Sequence, residues 1–453
     1  MFPEKNKTFM NWDAPVNKTF FYLFTGVLLL FTLGRTLVSL KYGNLGDFYG
    51  HLDFAHAVKD RLDPYVMSNL TYTHSKWKYP LIIFPGIVLF YLPLLMLSVF
   101  SGKIMSWALR MSDENGVLMF NLFTGRIIDV SLNFIAPLVL FYLFFNRAGL
   151  LKLHDFKRPD NKTLLLTLLG FLFMNSSPVI MTTRHGQITM FFSIFLLLTI
   201  YARHRWSRTL FFGIAAGMKY SMITIFGPAL FLKKHYLTCI LAFGIFALIA
   251  MSPAIFGNNL IQMYSRYLEV LQSDISGGFN NYAVSGYNML QLEFFKLDML
   301  NSIAKLSALL LALYIIFRDR KNNSFGMNFL FAVMCLSMLL CYHRLYDISV
   351  IMLCLIANLY LFILKKDLRN VIITLIFAGF FLAPLSAIIK VAERIGTIPG
   401  VSKIFIMCQY YQDILPVFSL TAIVFLLLTG YSVYLYFSRH EDIVFALSDE
   451  NGK

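Results

Sequence analysis

Long apolar runs alternate with short polar interruptions along the whole chain. They cover Phe20–Leu40, Leu81–Phe100, Val117–Phe145, Leu164–Met181, Ile188–Ile200, Leu210–Leu232, Leu237–Ile255, Ala304–Phe317, Asn328–Cys341, Ile348–Leu364, Val371–Ile389 and Ile414–Phe437. Many approach the roughly 17–25 residues that carry a helix across a bilayer, and the period-2 alternation of a closed barrel is missing. The pattern predicts an all-α polytopic membrane protein with about twelve transmembrane helices, forming a single domain over residues 1–453. No internal repeat, heptad seam or low-complexity linker divides it, which leans away from the inverted-repeat transporters.

Composition supports that class. Hydrophobic residues make up 58% of the 453 and charged residues only 14%, with mean hydropathy +0.66. A soluble chain of this length could not bury so much apolar surface. The net charge of +15 would suit nucleic acid, but the lysines and arginines fall in short loops between runs. That is the positive-inside signature, so no nucleic-acid partner is expected. The first eighteen residues are polar and the run after them is long enough to span, so no cleavable signal is expected. Cys239, Cys335, Cys341, Cys354 and Cys408 lack metal-type spacing and read as free apolar residues.

The loop charges orient the runs. Lys5, Lys7 and Lys18 place residues 1–19 inside as a cytoplasmic tail, and Arg147, Lys152, Lys157, Arg158 and Lys162 mark the next inside loop. Helix 1 then leads out and Val117–Phe145 leads in. On that logic the run 80–100, with Pro80, Pro85 and Pro93, does not cross as one piece. It is expected to be interfacial, re-entrant or out-and-back within a first outer loop over 41–116. Leu210–Leu232 has basic residues at both ends and Lys219 in the middle, and reads as a helical hairpin with Lys219 at its tip. A second long outer loop is expected over 256–301, with both termini inside.

In this topology the costly polar residues gather on the outer side: Asp47 and Asp53 in the first loop, Arg126 and Asp129 one turn apart, Arg184, His185 and Gln187 in the next outer turn, Lys219, and then His343, Arg344, Tyr346 and Asp347. Each has a plainer reading as well. Arg126 and Asp129 can pair to reduce their burial cost, Lys219 can snorkel, and His343 can pack at the interface. Taken together, several cations and a carboxylate suit an anionic, lipid-linked substrate that reacts with a hydroxyl. No His-Glu-x-x-His, Cys pair or Gly-rich phosphate loop is present, so neither a metal nor another cofactor is expected.

The order Asp47-Phe48, Ala55, Ala57, Asp63-Pro64-Tyr65 and Tyr79-Pro80 resembles the first outer loop of glycosyltransferase family 87. Ser177-Pro178 with His185-Gly186-Gln187-Ile188-Thr189, then Gly213…Gly217-Met218-Lys219, then Tyr342-His343…Tyr346-Asp347 resemble its later motifs. The resemblance covers about residues 20–350. It implies the C-type membrane glycosyltransferase fold and transfer from a polyprenyl-phosphate sugar, such as mannose or another hexose or pentose, to a hydroxyl of a glycolipid or glycan. It further implies an inner (cytoplasmic) membrane location with the active site facing the periplasmic side. On this resemblance Asp47 is the catalytic base. Lys219 and His343 lie near the donor phosphate, Gln187 lines the cavity, and Arg126 matches an arginine of the following helix. Asp53, Arg184, His185, Arg344 and Tyr346 join them as candidate substrate contacts. Thr189 replaces the usual Asn, Asp53 is an extra acid, and Ser285-Gly286-Tyr287-Asn288 matches the family's Asn-Gln-Ser segment only loosely. A lipid-linked saccharide flippase and an O-antigen-ligase-like transferase are the competing readings.

Overall fold

The computed structural model describes residues 11–42, 46–70, 83–122, 126–152, 154–185, 188–202, 204–219, 226–275, 298–322, 324–340, 348–382, 394, 415–438 and 444–446. Among these residues the fold is helical, with one short pair of strands. The helices are α1 (Lys18–Tyr42), α2 (Gly46–Lys59), α3 (Val88–Leu109), α4 (Asp113–Phe120), α5 (Arg126–Arg147), α6 (Asn161–Met174), α7 (Ser177–His185), α8 (Thr189–Tyr201) and α9 (Arg205–Met218). They continue as α10 (Phe226–Leu232), α11 (Tyr236–Ala250), α12 (Leu260–Ile275), α13 (Asp298–Asp319), α14 (Met327–Leu340), α15 (Ser349–Lys365), α16 (Leu368–Leu382) and α17 (Leu415–Phe437). Strand β1 (Ser324–Gly326) pairs antiparallel with β2 (Val444–Ala446), Phe325 lying opposite Phe445.

The expectation of about twelve spanning helices is overturned. Among the described residues four helical stretches are long and apolar enough to cross a membrane: Lys18–Val38, Pro85–Leu109, Val130–Arg147 and Tyr236–Phe256. A fifth arises if the bent pair α6–α7 counts as one span. The physical reason is that an apolar run suits a helix buried in protein as well as one in lipid. Helix α14 has only 14 residues and is buried from Met327 to Leu339, and α15 is enclosed almost as completely over 17 residues. Helix α8, with 13 residues, joins the same core cluster. In contrast, α1 leaves Leu23, Leu30 and Phe31 well exposed, the signature of a lipid-facing surface.

The run 80–100 is described from residue 83 onward. From Pro85 the chain makes one 3-10 turn and continues as α3 through Pro93 to Leu109, so the stretch is long enough to cross as one piece. Pro85 stands at the first position of the turn, where a missing N–H costs nothing, and Pro93 removes a single helical hydrogen bond. Helix α3 ends at Arg110 in the left-handed region (φ 52°), and α4 folds back along it. Their contact is close: a Cβ on Gly116 would lie 2.2 Å from the Gly102 carbonyl oxygen.

One end of the bundle is knitted by polar contacts between loops. Residues 11–17 pair with 159–162, through Val16 N–H to the Pro159 carbonyl (2.8 Å) and Lys162 to Asp13 (2.6 Å). Arg208, almost wholly buried, donates to the Ala202 carbonyl at 3.0 Å and lies 3.1 Å from His235 Nδ1. Beside it the Lys233 ammonium donates to the Asp319 carboxylate (2.7 Å) and to the carbonyls of Asp319, Asn322 and Ser324. This ties the α10–α11 turn to the segment that enters β1. A second feature lies within the bundle. Helices α6 and α7 meet at 53°, and Arg35 of α1 holds the elbow. Its guanidinium donates to Asn175 Oδ1 and to the Met174 carbonyl, both at 2.8 Å, while Asn175 Nδ2 donates back to Thr32 Oγ1 at 3.1 Å.

Candidate active site

Helix α2 organises the other end. The spacing GDFYGHLDFAHAVK carries apolar or small residues on every face. Phe48, Leu52, Phe54, Ala55, Ala57 and Val58 are buried, as are Asp53 and His56. The helix is thus enclosed by protein, in a cluster with Ile83, Ile87, Val88, Tyr91 and Leu95 of the α3 segment, Val130 of α5, and Met263, Tyr267 and Val270 of α12. Its C-terminal end is held by two contacts from beyond α11. Asn258 Nδ2 donates to the Val58 carbonyl at 2.7 Å, and Arg61 Nε donates to the Phe256 carbonyl at 2.8 Å.

The acids of this region separate by environment. Asp60 pairs with Lys59 at 2.7 Å on a partly exposed edge. Asp63 accepts the Tyr65 N–H at 2.9 Å, an Asx turn that seats the Tyr65 hydroxyl on the Ile83 carbonyl. Asp53 is fully enclosed in the helix interior. Asp47 lies in the first turn of α2, where the helix dipole favours negative charge. Six residues separate Asp47 from Asp53, or about 9 Å along the axis and about 120° around it, so the two do not share a face.

Three further elements bring candidate residues to this end. Helix α7 packs against α2 and ends with Arg184 and His185. Ile188, just before α8, packs on the α2 cluster. Helix α5 begins at Arg126, and Val130, beside Asp129, belongs to that cluster. At Asp47, Arg126, Asp129, Arg184 and His185 it is the backbone that is described. Lys219, half-buried, caps the C-terminus of α9 through its N–H to the Ala215 carbonyl at 3.0 Å. Gly213 and Gly217 lay α9 against α11 at Ile245 and Ile249, and Gly86 approaches the Ile249 carbonyl from the α3 side. The end of α9, the start of α3 and the end of α11 therefore meet at Ile249. Helix α9 ends at Met218 and α10 begins at Phe226; residues 220–225, beyond Lys219 in the expected hairpin, lie outside the described residues. Gln187, His343, Arg344, Tyr346 and Asp347 lie outside the described residues.

Sequence reasoning passed over three residues. His56, on α2, is buried with Nε2 at 3.2 Å from Ser98 Oγ and 3.4 Å from Asn121 Nδ2. Burial, helped by the Lys59 charge and opposed by Asp60, pushes its pKa down to about 4, so the ring is neutral at pH 7. His51, one turn after Asp47, lies with Nδ1 at 3.0 Å from the Tyr91 hydroxyl. Arg35 was visible as a lone charge in an apolar run, but its partner Asn175 lies far along the chain. Among the described residues no three His, Cys, Asp or Glu side chains gather as metal ligands.

The described fold is that of a helical membrane protein that buries ionisable residues on α2, enclosed by neighbouring helices. The chain matches the model of glycosyltransferase family 87 over residues 85–342, more than half its length, and belongs to that family. It is therefore a multi-pass membrane glycosyltransferase. The matched stretch contains Arg126, Arg184, His185, Gln187 and Lys219. It begins after Asp47 and Asp53 and ends just before His343. No curated protein matches the chain.

Proposed function

We propose that the protein is an inverting transferase that takes a sugar from a polyprenyl phosphate and attaches it to a hydroxyl of a glycolipid or glycan. Asp47 serves as the general base, removing the acceptor proton as the hydroxyl oxygen attacks the anomeric carbon. The bond from that carbon to the phosphate oxygen breaks, and the electron pair leaves with polyprenyl phosphate. Arg184, His185 and Lys219, with Arg126, Gln187, His343, Arg344 and Tyr346, surround the donor phosphate and sugar and offset the charge that develops on the leaving group. The reaction faces the outer side of the inner membrane, where a lipid-borne donor enters laterally and the loops over 41–116 and 256–301 frame the acceptor side.

The observation that carries this reading is the packing of α2, with Asp47 in its first turn, against α7, whose last residues are Arg184 and His185. This packing supports a reading in which the proton acceptor and the phosphate-binding cations face one substrate. The test is to incubate the purified protein in nanodiscs with radiolabelled polyprenyl-phosphate sugars and total membrane lipid. A new labelled glycolipid or glycan is expected, with release of polyprenyl phosphate. Movement of the intact donor across sealed vesicles without a chemical product would instead mark a flippase and overturn the proposal.

A further inference from the structure

An arginine in a helix that faces lipid is costly unless its donors are satisfied within the protein. Arg35 lies within the candidate span Lys18–Val38 and places both terminal nitrogens on one short segment, Met174 and Asn175. That segment is the break at which α6 turns by 53° into α7. A helix break leaves carbonyls without their usual partners, and the guanidinium supplies the donor for Met174. Asn175 is fixed from three sides: it accepts from Arg35, donates to Thr32 of the same helix α1, and donates to the Phe171 carbonyl of α6 at 2.8 Å. Helix α1 packs against both α6 and α7, so it braces the elbow along its two arms.

We propose that Arg35 is a positioning residue for the transfer site: by fixing the α6–α7 elbow it aims the end of α7, with Arg184 and His185, at α2. The inference rests on the reading of Arg184 as a donor-phosphate contact. The lever is short and stiff. His185 lies eight residues from Ser177, about 12 Å along α7, so a change of about 10° at the elbow displaces it by about 2 Å. Displacements of this size are large against the tolerance of a phosphate clamp. Arg35 has this effect without touching the substrate.

The test is binding of radiolabelled polyprenyl phosphate to the full-length protein in nanodiscs, measured for Arg35→Ala, Arg184→Ala and the double variant. Each single change is expected to weaken binding about tenfold or more, the scale of one charged hydrogen bond. The double variant is expected to bind no more weakly than the weaker single variant, because both act through α7. Arg35→Lys keeps the charge for membrane insertion but cannot reach both acceptors, and Asn175→Ala removes the partner. Both are expected to weaken binding similarly, and they carry the test if Arg35→Ala fails to insert. Wild-type binding by the inserted Arg35 and Asn175 variants, or losses that multiply in the double variant, would overturn the proposal. Wild-type binding by Arg184→Ala alone would instead remove Arg184 from the donor site.

Discussion

Gly217 of α9 meets Ile249 of α11 so closely that a Cβ on the glycine would stand 2.6 Å from the Ile249 Cδ1. Gly213, one turn earlier, repeats the contact: its Cβ would lie 2.6 Å from Ile245 Cβ and 3.1 Å from the Ala242 carbonyl oxygen. Small residues four apart let two helices touch along their backbones, and this pair fixes where α9 ends and hence where Lys219 stands. Replacing either glycine by valine is expected to cost about 1 to 3 kcal/mol through overpacking. Beyond the stability loss, donor binding should fall, because Lys219 shifts with the helix end. Comparing the thermal midpoint and polyprenyl-phosphate binding of Gly217→Val with those of Lys219→Ala checks this, and unchanged values for the glycine variant would contradict it.

His56 predicts an acid-side loss of stability. Its pKa is lowered from 6.5 to about 4 in the folded protein. Above pH 6.5 both folded and unfolded states hold the ring neutral, and its contribution is constant. As pH falls through 6.5 the unfolded chain takes up a proton that the native site refuses, so stability declines until about pH 4 and then levels off. The loss from this one group reaches roughly 3 kcal/mol at most. Thermal midpoints recorded from about pH 7.5 to about pH 4.5 should fall more steeply for the native protein than for His56→Gln, which has no titrating ring. Parallel curves would exclude the effect.

Lys233 is the strongest polar tie at the opposite end. Burial lowers its pKa, while the hydrogen bond and charge of Asp319 oppose that shift. Its ammonium also lies about 5 Å from the rings of Phe325 and Phe329 (5.0 and 5.3 Å). Lys233→Met removes the ammonium from the Asp319 carboxylate and from the Asn322 and Ser324 carbonyls, while Asn322 still donates to the other Asp319 carboxylate oxygen and to the Asp319 carbonyl, and is expected to cost about 3 to 5 kcal/mol. Adding Asp319→Asn should recover part of that loss, since the stranded charge is removed. A melting comparison of the two variants tests this, and a double variant less stable than Lys233→Met would contradict it.

How much of this was legible in the sequence depended on whether the cause was local. The first span follows from its apolar run and the polar residues that bound it. The Gly213–Gly217 spacing is visible in the sequence, but the close approach of α9 to α11 that it permits came from the fold. The number of crossings was not legible, because α14 and α15 have the composition of membrane helices yet bury that surface inside the protein. The continuity of α3 through Pro93 was hidden for a related reason: counting loop charges assigns sides but does not show where a helix continues. Pairings between distant segments, such as β1 with β2 or Arg35 with Asn175, leave no mark in either segment alone. For the candidate residues, the types were readable, while their positions on α2, α5 and α7 and at the end of α9 required the fold.

The central claim is that the Asp47 carboxylate is the base for glycosyl transfer. The most direct measurement is turnover of a radiolabelled polyprenyl-phosphate sugar by Asp47→Asn beside the native protein, with donor binding recorded on the same preparations. The account predicts that Asp47→Asn binds the donor as the native protein does and forms no product, since the amide cannot accept the acceptor proton. Substantial turnover by that variant would contradict it.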